Sequence, residues 1–332
     1  MLAIRCLSQS STDPLSGLAI IEIPSPDVPQ GWVRVNLRAC ALNHHDLWSL
    51  RGVGLDPSRL PMTLGCDGAG TLEDGTEVVI HAVIGDPAAG SGDETLDPKR
   101  TLLSELHQGT LAEQVIVPQR NVVPKPAGLS WEEAACLPTA WLTAYRMLTS
   151  KSGLEGPGTV LIQGAGGGVA SAAIQLAAAL GHTVFCTSRD PEKRARSLAL
   201  GADLAVETGE RLPAKVDLVI ETVGAATWSH SLRALRPGGR IVVSGATSGA
   251  NPLADLNRVF FLQLSVIGST MGTREELIDL LAFVESRELH PVIDDQRPLS
   301  QARTSFERLA AGLSFGKMVL TLPYKPSARE LG

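Results

Sequence analysis

Four glycines, Gly164, Gly166, Gly167 and Gly168, follow the apolar run Val160-Leu161-Ile162 and precede a helical pattern. These residue types specify a chemistry more directly than any others in the chain. Read as Ala165-x-Gly167-x-x-Ala170, the segment is small where a backbone must approach a pyrophosphate and where a helix must lie close to a strand. Gly166, Gly167, Gly168 and Val169 then open a helix whose first N–H groups suit the phosphates of a dinucleotide. A second strand ends Cys186-Thr187-Ser188-Arg189, with no carboxylate at its tip to take the ribose 2′-hydroxyl of NAD. Ser188, Arg189 and Lys193 offer donors and positive charge suited to a 2′-phosphate instead. Asp190-Pro191-Glu192 reads as an N-cap, a proline at the first helical position and an acid in the first turn, so Asp190 is occupied by its helix. The expected cofactor is NADP(H).

Other chemistry is sparser. The amide of Asn43 can donate to a substrate carbonyl oxygen as hydride arrives, stabilising the developing enolate charge. Asp46 is better suited to bonding backbone donors. No Ser-His-Asp or paired-carboxylate constellation is legible, so hydrolysis has no support. The five cysteines, Cys6, Cys40, Cys66, Cys136 and Cys186, are scattered singly. Without a Cys-x-x-Cys pair, neither a zinc knuckle nor a redox dithiol is written here, and free buried thiols are expected.

These residues need elements to hold them. Residues 159–162, the glycine turn, a helix with Val169, Ala173, Leu176, Ala177 and Leu180 on one face, and a strand over 183–187 make one strand–turn–helix–strand unit. Further strands at 204–207, 216–221, 240–244 and 264–268 alternate with helical segments, which predicts a doubly wound parallel sheet. Loops after the fourth, fifth and sixth strands, carrying Val223, Ser244-Gly245-Ala246 and Met271, should then line the cofactor. Ahead of this, short strands at 18–23, 32–39, 70–72, 77–82 and 112–117 suggest a partly closed barrel. Residues 86–109 read as a polar surface loop. Ser130 with Glu133 is a capping box. The final segment, a helix over 301–312 and a strand over 317–322, reads as a return to the first domain that brings Lys317 toward the cofactor. The expected division is a first domain of 1–123 completed by about 288–332, and a dinucleotide domain of 124–287.

Length and charge set the outer bounds. A chain of 332 residues accommodates two cores. A net charge of −6 and an aromatic content of 4 % argue against nucleic acid or an anionic membrane as partner. No signal-peptide core is visible and a cytoplasmic location is expected.

In this order the barrel, capped helix and glycine turn resemble the medium-chain dehydrogenase/reductase superfamily over the whole chain. Within it they resemble the zinc-independent quinone oxidoreductase branch. The resemblance rests on Ala41-Leu-Asn-His-His-Asp46, Leu64-Gly-Cys-Asp-Gly-Ala-Gly70, Gly109-Thr-Leu-Ala-Glu113, Leu137-Pro-Thr-Ala-Trp-Leu-Thr-Ala144, the 165–170 turn and Gly316-Lys-Met-Val-Leu. It implies a GroES-like β-barrel catalytic domain plus a Rossmann domain. It also implies Val223, Ser244 and Met271 near the ribose and nicotinamide, with Thr143 beneath the ring. His45 falls where zinc alcohol dehydrogenases place a proton-relay hydroxyl, so a general-acid role is implied. The zinc-ligand positions of those enzymes hold Asn43, Cys66 and Thr139 here, a poor donor set for zinc, and 86–109 contains no cysteine for a structural zinc lobe. Without a Lewis acid, reduction of a quinone or an α,β-unsaturated carbonyl becomes the expected reaction. Two other readings stay open: an alcohol or aldehyde dehydrogenase of the same superfamily, and a nucleotide-binding structural or regulatory module without turnover. A homodimer is expected through an edge strand from Leu264 to Met271, apolar and without charge or proline.

Overall fold

Strand Trp32–Ala41 is the hub of the first unit. Its leading half pairs antiparallel with Gln114–Pro118, and its last three residues pair with Lys317–Thr321 on the same side. Asp67–Thr71 runs along its other side with a register shift between Leu37 and Ala39. Such a shift bends and twists a strand, which lets one strand serve two neighbours in a closing sheet. Glu77–Ile80, Val122–Pro124 and Ile293–Pro298 extend the sheet to seven strands. Gly70 has a steric reason to be glycine: a Cβ there would meet the Asn36 carbonyl oxygen at 2.1 Å. Leu2–Cys6, Leu18–Glu22 and Met62–Thr63 form a separate three-stranded sheet.

The second unit is a six-stranded parallel sheet. Its order is Leu204–Val206, Thr183–Thr187, Thr159–Ile162, Val216–Glu221, Leu235–Val243, Ser265–Gly268. This is the doubly wound order of a Rossmann fold, with the reversal between the first and fourth strands of the unit. Val160, Leu161, Ile162, Val219 and Ile241 are buried, as central strands covered on both faces require. Ser265–Gly268 lies at the edge, and its burial alternates, with Val266 exposed.

The structure is a computed structural model that describes residues 1–323; the remainder of the expected 288–332 segment lies outside the described residues. The chain divides at Thr139/Ala140 and Met271/Gly272, inside the interval 124–287 expected for the dinucleotide domain. Two helices account for the difference. Trp131–Ala135, opened by the Ser130–Glu133 capping box, packs on strands Trp32–Ala41 and Asp67–Thr71. Its Trp131 ring lies under the cations of Arg38 and Lys125, at 5.4 and 4.9 Å. Helix Arg274–Ser286 is anchored at its start to the first unit. The Arg274 amide donates to Glu94, and its guanidinium donates to the Arg120 carbonyl.

Residues 86–109 are also more than a surface loop. Glu94, Leu103 and Ser104 are buried, and Val83–Ile84 pairs with Thr101–Leu102. Polar composition concealed this, because the buried polar groups satisfy one another or nearby backbone. Among the described residues, no helix is long and apolar enough to cross a membrane.

Candidate functional site

In the second unit, the glycine turn leads into helix Gly168–Ala179 with Gly167 at the N-cap and no side chain capping it. Its first N–H groups are therefore left for a ligand. A Cβ on Gly167 would meet nothing within 4 Å, so the approach to this backbone is open. Gly164 and Gly166 are glycine for a different reason. Both have positive φ, +73° and +122°, and added Cβ atoms would strike Val223 and the Lys193 stem. Lys193 thus lies across the turn, and the 223 loop closes on it from the fourth strand.

At the tip of the second strand, Asp190 accepts from the Glu192 and Lys193 amides as N-cap, with Pro191 at the first position. Ser188 is buried; its hydroxyl accepts from the Asp190 amide and its carbonyl from Arg194. Arg189 is exposed. This tip carries cations, and the Asp190 carboxylate is spent on a helix.

Beneath the turns lies a buried polar chain that sequence reasoning missed. Thr187 donates to Gln163 (2.6 Å), Gln163 donates to Ser231 (3.0 Å), and Ser231 donates to Glu221 (2.6 Å). Glu221 also accepts from the amides of Val223 (2.8 Å) and Gly224 (3.0 Å). It therefore fixes the loop that bears Val223, and Gln163 ties the first strand's tip to the second's. Among the other expected cofactor residues, Thr143 is buried in helix Leu142–Leu148. Ser244, Gly245 and Ala246 follow strand Leu235–Val243, and the Ser244 hydroxyl is buried without a partner. Met271 is buried in a left-handed conformation, φ +50°.

In the first unit, Asn43 caps helix His44–Leu50 in a capping box with Asp46. Asp46 accepts from the Asn43 amide (2.8 Å) and the Gly65 amide (2.9 Å), the backbone role expected of it. Burial nevertheless pushes the Asp46 carboxyl up to about 6, against the opposing pull of His45.

The Asn43 carboxamide is committed to neighbours. Its nitrogen donates to Asp67 at 2.8 Å, and its oxygen accepts from Lys317 at 2.6 Å. Lys317 also donates to Asp67 (2.8 Å) and to the Leu42 carbonyl (2.8 Å). An ammonium has three donors, and all three are used within this unit. Lys317 is 2 % exposed and is the buried counter-ion of Asp67. The return strand Lys317–Thr321 beside 39–41 delivers it there.

His45 forms a second cluster. Its Nε2 lies 3.0 Å from Glu105, and its Nδ1 lies 3.4 Å from the Ser104 hydroxyl and 3.7 Å from the Cys66 sulfur. Burial works against charge on this ring, but Cys66, Glu105 and Asp46 together hold His45 well above the usual histidine range. Neither Ser104 nor Glu105 carried a signal in the sequence.

A model of the alcohol dehydrogenase GroES-like domain matches residues 29–127, and a model of zinc-binding dehydrogenases matches residues 168–286. A solved NAD-dependent alcohol dehydrogenase is 35 % identical, covering 97 % of this chain and 100 % of its own, with a TM-score of 0.89. The chain belongs to the medium-chain dehydrogenase/reductase superfamily. Within this superfamily it is also similar to the alcohol dehydrogenase of Geobacillus stearothermophilus, 29 % identical over 91 % of this chain and 96 % of the relative. The acryloyl-coenzyme A reductase of Sulfurisphaera tokodaii is 27 % identical over 92 % of this chain and 97 % of its own length.

The second family model raises the question of zinc. Among the described residues, no three or more His, Cys, Asp or Glu side chains are grouped to hold a metal ion. Asn43 is engaged with Asp67 and Lys317, whose fixed positive charge disfavours a second cation there. Cys66 donates to the Leu103 carbonyl, and His81, the other metal-capable residue, is bonded to the Gly272 carbonyl. This donor set does not fit zinc.

Proposed function

We propose that this member of the superfamily is an NADP(H)-dependent reductase of α,β-unsaturated carbonyl compounds or quinones that works without zinc. One observation carries the reading: a buried ammonium, Lys317, is locked between Asn43 and Asp67, so the polar centre of the first unit is neutralised by a side chain. In this reading a carbonyl substrate there is not polarised by a metal. An activated alkene needs none, because hydride addition to its β-carbon produces an enolate that hydrogen bonds and a proton donor can manage. The similarity to an acryloyl-coenzyme A reductase supports the same class.

In this proposal the nicotinamide supplies the hydride. The open N–H groups at Gly168–Ala179 hold the pyrophosphate, with Lys193 across the turn, and Ser188 with Arg189 meets the 2′-phosphate. Glu221 keeps the Val223 loop in place. His45, charged and oriented by Glu105, is the proton donor to the enolate. Asn43 positions the segment, and its second amide hydrogen can meet the substrate oxygen.

Loss of NADPH absorbance with methyl vinyl ketone, a crotonyl thioester and a quinone tests the reading. Turnover should survive a strong chelator, and freshly purified protein should contain no stoichiometric zinc. The alcohol dehydrogenase relatives favour a second reading, an NAD-dependent alcohol dehydrogenase. Chelator-sensitive oxidation of alcohols with NAD would establish that one instead.

The proposal includes a homodimer built on strand Ser265–Gly268. Its outer edge is unpaired in one chain, Val266 is 46 % exposed, and no charge or proline blunts it. Phe260 and Phe261 stay exposed themselves instead of folding over as a cover. Sedimentation at micromolar concentration should give twice the chain mass, and Val266→Lys should return it to one. An unmutated protein sedimenting as a single chain would remove this part of the proposal.

A further inference from the structure

We infer that Gln163 is a positioning residue for NADP(H) and holds its place only while His230 is neutral, an inference that rests on the proposed placement of the cofactor at the strand tips. The Gln163 carboxamide is fully buried at the end of the first strand of the second unit. Its oxygen accepts from the Thr187 hydroxyl at 2.6 Å, and its nitrogen donates to Ser231 and to Nδ1 of His230, each at 3.0 Å. Thr187 in turn holds the glycine turn. Its hydroxyl accepts from the Gly164 amide (3.4 Å), and its carbonyl accepts from the Ala165 amide (2.8 Å). Through Ser231 and Glu221 the same carboxamide reaches the Val223 loop.

One set of hydrogen positions satisfies this chain. Glu221 is surrounded by donors, the Val223 and Gly224 amides and the Thr227 and Ser231 hydroxyls. The Ser231 proton is therefore spent on Glu221, and toward Gln163 that hydroxyl can only accept. This fixes which end of the carboxamide is the nitrogen. His230 Nε2 lies 2.8 Å from the Glu210 carbonyl, which only accepts, so the ring hydrogen is on Nε2 and Nδ1 is bare. A bare Nδ1 is what the second N–H of Gln163 requires.

A proton on Nδ1 sets N–H against N–H. The carboxamide can then serve the imidazolium only by presenting its oxygen, which takes that oxygen from Thr187 and the N–H from Ser231. The glycine turn and the Val223 loop lose their common brace, and the cofactor loses the surfaces they form. The charged side chains facing His230 are Glu221 on the fourth strand and Arg233 on its own helix, Ala225–Ala234. The first strand faces it with the neutral Gln163, and the 207–215 segment faces it with the Glu210 carbonyl. Burial holds His230 below the usual histidine value of 6.5, so the change falls on the acid side of neutrality.

NADP⁺ is the probe, titrated by calorimetry into the full-length protein at about pH 7.5 and about pH 5. The ratio of the acid Kd to the neutral Kd should be at least about tenfold larger in the unmutated protein than in His230→Asn. The amide oxygen of that variant replaces Nδ1 and takes up no proton. The 2′-phosphate of the cofactor titrates in the same range in both proteins and cancels in the comparison. A second measurement needs no variant. NMR of the His230 ring should show the Nε2–H tautomer, and its midpoint should lie about one pH unit lower with NADP⁺ bound, the same tenfold factor seen from the proton's side. Equal ratios in the two folded proteins, or a His230 midpoint that NADP⁺ does not lower, would overturn the inference while the cofactor placement stands. NADP⁺ that fails to bind near neutral pH would remove that placement and the inference with it.

Discussion

Lys317→Met is expected to cost about 3–5 kcal/mol of folding stability, the usual penalty for leaving one partner of a buried ion pair uncompensated. Asp67 is fully buried, and one of its carboxylate oxygens already lacks a partner. Without the ammonium, the other oxygen keeps only the Asn43 amide. The double variant Asp67→Asn/Lys317→Met removes both charges and should recover more than half of the loss, because a neutral amide is far cheaper to bury than an unpaired carboxylate. Urea denaturation of the two single variants and the double variant gives the coupling directly. A single-variant cost below about 1 kcal/mol would mean that the cluster is hydrated and weak, as surface pairs are. It would also remove the argument that a fixed cation holds the centre of the first unit.

Removing the cations at the second strand's tip should abolish the preference for NADPH. The unmutated protein is expected to bind NADPH at least tenfold more tightly than NADH, about 1.4 kcal/mol. Arg189 is exposed beside a carboxylate already spent on its helix, so Arg189→Ala should weaken NADPH and leave NADH nearly untouched. Lys193 lies across Gly166 at the glycine turn, where the proposal places the pyrophosphate that both cofactors share. Lys193→Ala should therefore weaken both, and the double variant should bind the two with similar, reduced affinity. Fluorescence titration with each nucleotide separates these contributions. Equal affinities in the unmutated protein would sink the assignment and would favour the NAD-dependent alcohol dehydrogenase reading instead.

The features legible in the sequence are those whose partners lie within a few residues. The Ser130–Glu133 capping box, the Asp190-Pro191 helix start and the glycine turn before Gly168–Ala179 each close on themselves within one helical turn. Local backbone geometry dictates their residue types, and so reading them also fixes the strand–turn–helix order and the Rossmann class. The apolar run at 160–162 marks a central strand for the same reason: both of its faces must be covered.

Tertiary structure alone decided the clusters that carry charge. Lys317 meets Asn43 and Asp67 across 274 and 250 positions, and Glu105 meets His45 across 60. No periodicity encodes such pairs. They exist because strand Lys317–Thr321 returns beside residues 39–41, and because the polar stretch at 86–109 folds inward at Ser104. The sequence therefore offered Asn43 and Lys317 as separate candidates and did not show that the Lys317 ammonium donates to the Asn43 carboxamide. The unit boundaries moved for a related reason. Trp131–Ala135 and Arg274–Ser286 look like neighbours of the parallel sheet along the chain, yet they attach to the first unit through Trp131, Glu94 and the Arg120 carbonyl. Order along a chain specifies which elements form, whereas long-range hydrogen bonds and packing decide where they belong.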